Sequence, residues 1–155
     1  MFNRNHNIVR LIERFNLGGQ TFLVTMLAGG GDLVKYCKQQ PDPNLWMSES
    51  RAQHIVYQIA KGLQAIHKKR IVHRDIKLMN IFCCDSTDFP KIKIGDFGLA
   101  IKLAEGEKVV QKVETITFSA PEVIKKEAYD FKADVWSLGI IYYMLVSSLL
   151  PFGKF

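Results

Sequence analysis

The sequence predicts an α+β fold, on three observations. Two β-rich runs, Ile8–Phe15 and Thr21–Leu27, flank the turn Leu17-Gly18-Gly19-Gln20 near the start. Apolar Ile55, Ile59, Leu63 and Ile66 then recur at spacings of four, four and three, which is one stripe of a long helix. Finally, Val135 to Gly153 carries no charged side chain and reads as a buried helix. Strands come first and helices dominate later, which separates α+β from an alternating α/β chain.

The first two runs form a hairpin closed by the two glycines. Gly29-Gly30-Gly31 ends it, and Asp32 is placed to cap a short helix through Cys37. Pro41 and Pro43 mark a loop. Ser48 is the expected N-cap of the long helix, and Glu49 suits the positive end of its dipole, as Lys68, Lys69 and Arg70 suit the negative end. Ile71-Val72, Ile81–Cys84 and Lys91–Ile94 read as short strands around polar loops, the last ending at Gly95. Residues 99–121 lack periodicity and read as a long ordered loop, a length that is usually functional. Asp130 is the expected N-cap of the apolar helix, which ends near Val146. Ser147-Ser148 and Pro151 cut that run to about a dozen continuous apolar residues, too few to span a membrane.

The 155 residues suit one domain, and 48% apolar against 23% charged residues is an ordinary globular composition. The net charge of +6 is scattered apart from Lys68-Lys69-Arg70 and Lys125-Lys126, so it leaves no nucleic-acid footprint. Cys37, Cys83 and Cys84 are odd in number, and two are sequence neighbours, so no disulfide framework is expected. A reducing, intracellular compartment, the cytoplasm, follows, and the N-terminus lacks the apolar core of a signal peptide.

Two polar loops carry the chemistry. One is His73-Arg74-Asp75-Ile76-Lys77-Leu78-Met79-Asn80; the other is Asp96-Phe97-Gly98. A carboxylate and an amide at strand ends can hold a hard cation through oxygen. Another carboxylate can take a proton from a hydroxyl, and a lysine between them can neutralise a phosphate. Such a set suits phosphoryl transfer, where a protein mainly positions reactants and stabilises charge.

These residues resemble the protein kinase family. His-Arg-Asp-x-Lys-x-x-Asn, Asp-Phe-Gly sixteen residues beyond Asn80, and Ala120-Pro121-Glu122 stand in the family's order, followed by Asp134–Gly139 and Pro151-Phe152-Gly153. The resemblance covers essentially the whole chain. It implies a protein-kinase-like fold cut short at both ends: residues 1–27 as the remnant of the N-terminal strand lobe and the start of the hinge, and 28–155 as the rest of the hinge and the helical lobe through its central buried helix. It also implies a protein serine/threonine kinase, since Lys77 two residues after Asp75 is the serine/threonine pattern, with ATP, Mg2+ and protein substrates as partners. Residue by residue, Asp75 resembles the catalytic base, Lys77 the lysine on the γ-phosphate, and Asn80 and Asp96 the Mg2+ ligands. Thr25 resembles the gatekeeper, Met26 C=O and Ala28 N–H the adenine contacts, Asp32 the acid near the ribose, and Phe82 the floor under adenine. His73 and Phe97 resemble neighbours in an aromatic stack, Thr115 a threonine bonding the base, and Asp134 a buried acceptor of catalytic-loop amides.

The chain departs from the family pattern in several places. The family's glycine loop, strand lysine and helix glutamate do not fall within residues 1–155, nor does the arginine expected to pair with Glu122, so the isolated segment is expected to be inactive. Leu78, Met79, Glu114 and Phe118 replace a usual Pro, Glu, Gly and Tyr. No Ser, Thr or Tyr lies between Leu99 and Glu114, so Glu105, Glu107 or Glu114 is expected to face Arg74 in place of a phosphate. The alternatives are a scaffold that binds without transferring, or an inactive fragment; intact Asp75, Lys77, Asn80 and Asp96 disfavour the scaffold.

Overall fold

A computed structural model describes residues 5–39, 47–111 and 116–152. The elements run β1 (Leu11–Leu17), β2 (Gln20–Thr25), β3 (Gly31–Asp32), α1 (Leu33–Lys38), α2 (Glu49–Lys68), β4 (Ile71–Val72), β5 (Ile81–Cys83), β6 (Ile92–Ile94), β7 (Ile101–Lys102), α3 (Pro121–Ile124) and α4 (Lys132–Ser147). This is the α+β order that the sequence predicts. Three small antiparallel sheets form: β1–β2, β3–β5–β6 and β4–β7.

The hairpin closes where Gly18 and Gly19 take φ of 58° and 77°, with Leu17 opposite Gln20. Positive φ at both positions is what a twist-matched two-residue turn requires, and glycine adopts it without strain. Phe15 stacks on Phe22 across the pair at 5.2 Å. The first strand starts later than expected. Ile8 instead bridges Ile94 and is buried, with Val9 N–H donating to the Ile94 carbonyl at 2.8 Å. Burying that isoleucine in the core outweighs extending the hairpin.

Helix α2 buries Ala52, Ile55, Ile59, Leu63 and Ile66 as the expected stripe, and packs against α4 and β6. Asp32 caps α1 by accepting the Lys35 amide at 2.8 Å. Two caps differ from expectation. Ser48 makes no side-chain cap bond and approaches Ser50 Oγ at 3.2 Å instead. Phe131 occupies the N-cap of α4, while Asp130 accepts the Lys132 amide from one residue further out. Helix α4 is not buried all round either: Ile141 and Leu145 are inside, whereas Val135 and Tyr143 are exposed. Ser148 ends it in the left-handed region at φ 58°. No described helix is long and apolar enough to cross a membrane.

The stretch 99–121 is more structured than a loop. It holds β7 paired with β4, a two-way backbone bridge between Val109 and Tyr129, a 3-10 turn over Ile116–Phe118, and the start of α3 at Pro121. The Pro41–Pro43 loop lies outside the described residues.

The main core joins α1, α2, β5, β6 and α4. Between Val9 and Asp32, no described residue belongs to it or to the smaller core around Val72, Leu103 and Tyr129.

Candidate active site

The loop His73–Asn80 connects β4 to β5, and Asp134 of α4 holds its start. Asp134 is 1% exposed; one carboxylate oxygen accepts the His73 amide and the other the Arg74 amide, each at 2.9 Å. His67 Nε2 of α2 lies 2.8 Å from the same carboxylate. A buried carboxylate is tolerable only with such partners. Here they tie two helices to the loop, as the sequence predicts for Asp134. The grip also holds Arg74 at φ 69°, a conformation that side chains other than glycine rarely adopt.

His73 is fully buried, and burial pushes its pKa below the ordinary 6.5. The neutral ring fits its bonds: Nε2–H donates to the Gly95 carbonyl at 3.0 Å, and Nδ1 accepts the Asp75 amide at 3.3 Å. Its face packs against Phe97 at 4.9 Å. His73 is thus a structural hub joining the two polar loops.

The loop brings two predicted site residues onto the carboxylate of a third. Asn80 Nδ2 donates to Asp75 Oδ2 and to the Asp75 carbonyl, both at 2.8 Å. Lys77 Nζ lies 2.8 Å from the same Oδ2. Because the Asn80 amide nitrogen is bound to Asp75, its carbonyl oxygen is left as the acceptor for something else.

Sheet register brings up the second loop. Ile81 pairs with Ile94, and Gly95 N–H donates to the Asn80 carbonyl at 3.0 Å, so Asn80 and Asp96 sit at adjoining strand ends. Asp96 has φ 54° and is exposed, with Oδ1 accepting the Gly98 amide at 3.2 Å. An amide oxygen and an exposed carboxylate are the oxygen donors that Mg2+ takes, with water and phosphate filling the remaining positions. The donor set fits that ion. Among the described residues there is no cluster of three His, Cys, Asp or Glu side chains suited to an all-protein metal cage.

After the hairpin, Met26 N–H donates to the Arg10 carbonyl at 2.9 Å and the Ala28 carbonyl accepts from Gly31 at 3.2 Å. Among the described residues, this leaves the Met26 carbonyl and the Ala28 N–H without backbone partners. Phe82 packs flat against Gly95: a Cβ there would come within 2.7 Å of Phe82 Cε2 and 3.0 Å of Val9 Cγ2. Only glycine lets the strand before Asp96 approach that ring so closely. Asp32 is occupied in part by its helix cap.

A groove of about 1180 Å³ runs between β1–β2 and the Asp96 loop, lined by Thr25, Asp96 and Phe97 among others. Met26, Ala28, Asp32, Phe82, Asp75, Lys77 and Asn80 do not line it. A water-sized cavity of about 20 Å³ adjoins Asp75 and Asp134.

Among the described residues, Arg74 meets neutral acceptors rather than the expected Glu105 or Glu107. Arg74 donates to the Leu99 carbonyl and, at 2.7 Å, to Gln111 Oε1. Glu107 instead accepts the Ala104 amide at 2.6 Å. Neutral acceptors from the chain itself occupy the guanidinium; Glu114 and Thr115 lie outside the described residues. Gln111 was not singled out in the sequence, and Gly95 only as the end of a strand, since their roles here come from contacts far along the chain. All three cysteines are free thiols, and burial pushes Cys37 and Cys83 up to about 12.

Similarity to known proteins sets the class of this fold. A protein kinase domain model matches residues 1–154, and the chain belongs to the protein kinase family. Its relatives include the serine/threonine-protein kinase ATG1a of Arabidopsis thaliana, 36% identical over 94% of this chain and 23% of that protein. The serine/threonine-protein kinase unc-51 of Caenorhabditis elegans is 38% identical over 96% of this chain and 18% of its own length. Ribosomal protein S6 kinase alpha-1 of Mus musculus is 35% identical over 99% of this chain and 21% of its own. The chain thus spans about a fifth of the length of these curated relatives.

Proposed function

We propose that this segment is the catalytic centre of a protein serine/threonine kinase that moves the γ-phosphoryl group of Mg-ATP to Ser or Thr hydroxyls of protein substrates, working as part of a longer chain. The observation that carries it is the convergence of Asn80 Nδ2 and Lys77 Nζ on Asp75 Oδ2, each at 2.8 Å. We read residues 1–27 as the end of a strand lobe with the start of the hinge, and 28–155 as the rest of the hinge and the helical lobe. The coreless stretch from Val9 to Asp32 supports that division.

Asp75 accepts the proton of the substrate hydroxyl as its oxygen bonds to the γ-phosphorus and the bond to the bridging oxygen breaks. Asn80 keeps that carboxylate oriented. The Lys77 ammonium turns toward phosphate oxygen when nucleotide is present. Asn80 Oδ1 and Asp96 would hold Mg2+, which supplies charge neutralisation between the outer phosphates. The Met26 carbonyl and Ala28 amide would take the adenine edge, with Phe82 beneath the ring and Asp32 toward the ribose. Residues 1–155 alone are expected to turn over no ATP, because the family's glycine loop, strand lysine and helix glutamate do not fall within them.

The test is phosphoryl transfer from Mg-ATP to a generic protein substrate by the full-length protein. Asp75→Asn is expected to cut kcat by roughly 10²–10⁴, and Asp96→Asn to remove Mg2+-dependent turnover. Wild-type protein that binds ATP yet transfers nothing would replace this reading with a binding scaffold.

A further inference from the structure

The structure assigns Gln111 as a positioning residue that clamps the 99–111 segment to the catalytic loop without phosphorylation of that segment. The inference rests on the kinase reading for its effect on turnover, but the clamp itself is a matter of contacts.

Arg74 immediately precedes Asp75, and its amide is fixed by Asp134 at 2.9 Å. Its guanidinium grips the other segment at two places, the Leu99 carbonyl and Gln111 Oε1. Those points are twelve residues apart, so one side chain closes the whole stretch into a loop. Gln111 is itself anchored: its carbonyl accepts the Tyr129 hydroxyl at 3.1 Å. Two residues earlier, Val109 and Tyr129 exchange both backbone bonds, at 2.8 and 2.9 Å, and both residues are buried. Near the other end, Arg70 donates to the Leu103 and Ala104 carbonyls, while Leu103 N–H donates to the Arg70 carbonyl at 2.8 Å.

A phosphate would order such a loop by presenting acceptors to an arginine. From Leu99 to Glu114 no residue can carry one. Gln111 already presents an acceptor, and an amide oxygen satisfies an arginine N–H at any physiological pH. The stretch is therefore ordered by its own sequence. A glutamine side chain holds Arg74, and Arg74 holds the backbone that aims Asp75.

The experiment compares Gln111→Ala, Gln111→Glu and wild type in the full-length protein. Gln111→Ala is expected to lower kcat by roughly five- to tenfold, with KM for ATP within about twofold. Gln111→Glu keeps an acceptor and is expected to restore wild-type kcat. Phosphatase treatment is expected to leave wild-type kcat within about twofold. Amide hydrogen exchange across 99–111 is expected to quicken in Gln111→Ala alone. Unchanged exchange in Gln111→Ala overturns the clamp, as does a Gln111→Glu variant as impaired as the alanine. Loss of activity on phosphatase treatment overturns its independence from phosphate. If the wild type transfers no phosphoryl group, the kinase reading fails, and exchange alone decides the clamp.

Discussion

The hairpin β1–β2 and the loop His73–Asn80 are held by opposite means. Every residue of both hairpin strands is exposed, and what fixes the pair is local: a two-glycine turn, a cross-strand register and the Phe15–Phe22 stack. In the loop His73–Asn80 five of eight residues are buried, and its partners come from far along the chain, with Asp134 sixty residues from Arg74 and Gly95 twenty-two from His73. A hairpin specified by neighbours tolerates change at its faces. A loop specified by distant polar partners fails when one of them is removed.

The hardest blow to that contrast is Asp134→Ala. It strips acceptors from the buried His73 amide and the half-buried Arg74 amide and the partner from His67, and is expected to cost about 3–5 kcal/mol. A kinase-domain melting temperature lower by roughly 6–20 °C in the full-length protein checks it; a smaller fall than in a hairpin variant would reverse the comparison.

The His73 imidazole gives the next largest effect. Burial lowers its pKa in the folded state, so below pH 6.5 the unfolded chain binds a proton that the folded chain resists. Stability should therefore fall as pH drops below 6.5, by up to about 1.4 kcal/mol per pH unit from this group. Melting between pH 7 and pH 5 should be less pH-dependent in His73→Gln than in wild type.

Gly19→Val is the mildest change. It forces a β-branched residue to φ 77° where nothing lies within 4 Å, so the cost is backbone strain alone, about 1 kcal/mol. Hydrogen exchange should quicken in β1 and β2 and stay unchanged in β5 and β6.

The same contrast explains what was legible in the sequence. The α2 stripe, the glycine turn and the Asp32 cap are written within a few residues of where they act, so pattern reveals them. The Asp75, Lys77 and Asn80 cluster was legible because one short loop carries all three. β7 and the Val109–Tyr129 bridge were not, since two-residue strands have no period and their pairing depends on a distant partner. The same holds for Gln111, whose amide oxygen matters only because folding places it against Arg74. Ser48 and Asp130 show the limit of cap signals: a good capping residue was present in each case, and the local chain path decided whether its oxygen reached the helix.

The tether at Val9 has a mechanical consequence. Two strands of chain join the hairpin to the rest of the described molecule, one at Val9–Arg10 and the other at Met26–Ala28, and the Met26 N–H bond to the Arg10 carbonyl ties them side by side. Side-by-side straps resist twisting and permit bending about the line across them. No core residue lies beyond Val9 on the hairpin side until Leu33, so such bending tears no packed interior. Val9 itself presses on the glycine preceding Asp96. The base of the hairpin thus rests, through Val9, against the glycine that follows β6 and precedes Asp96.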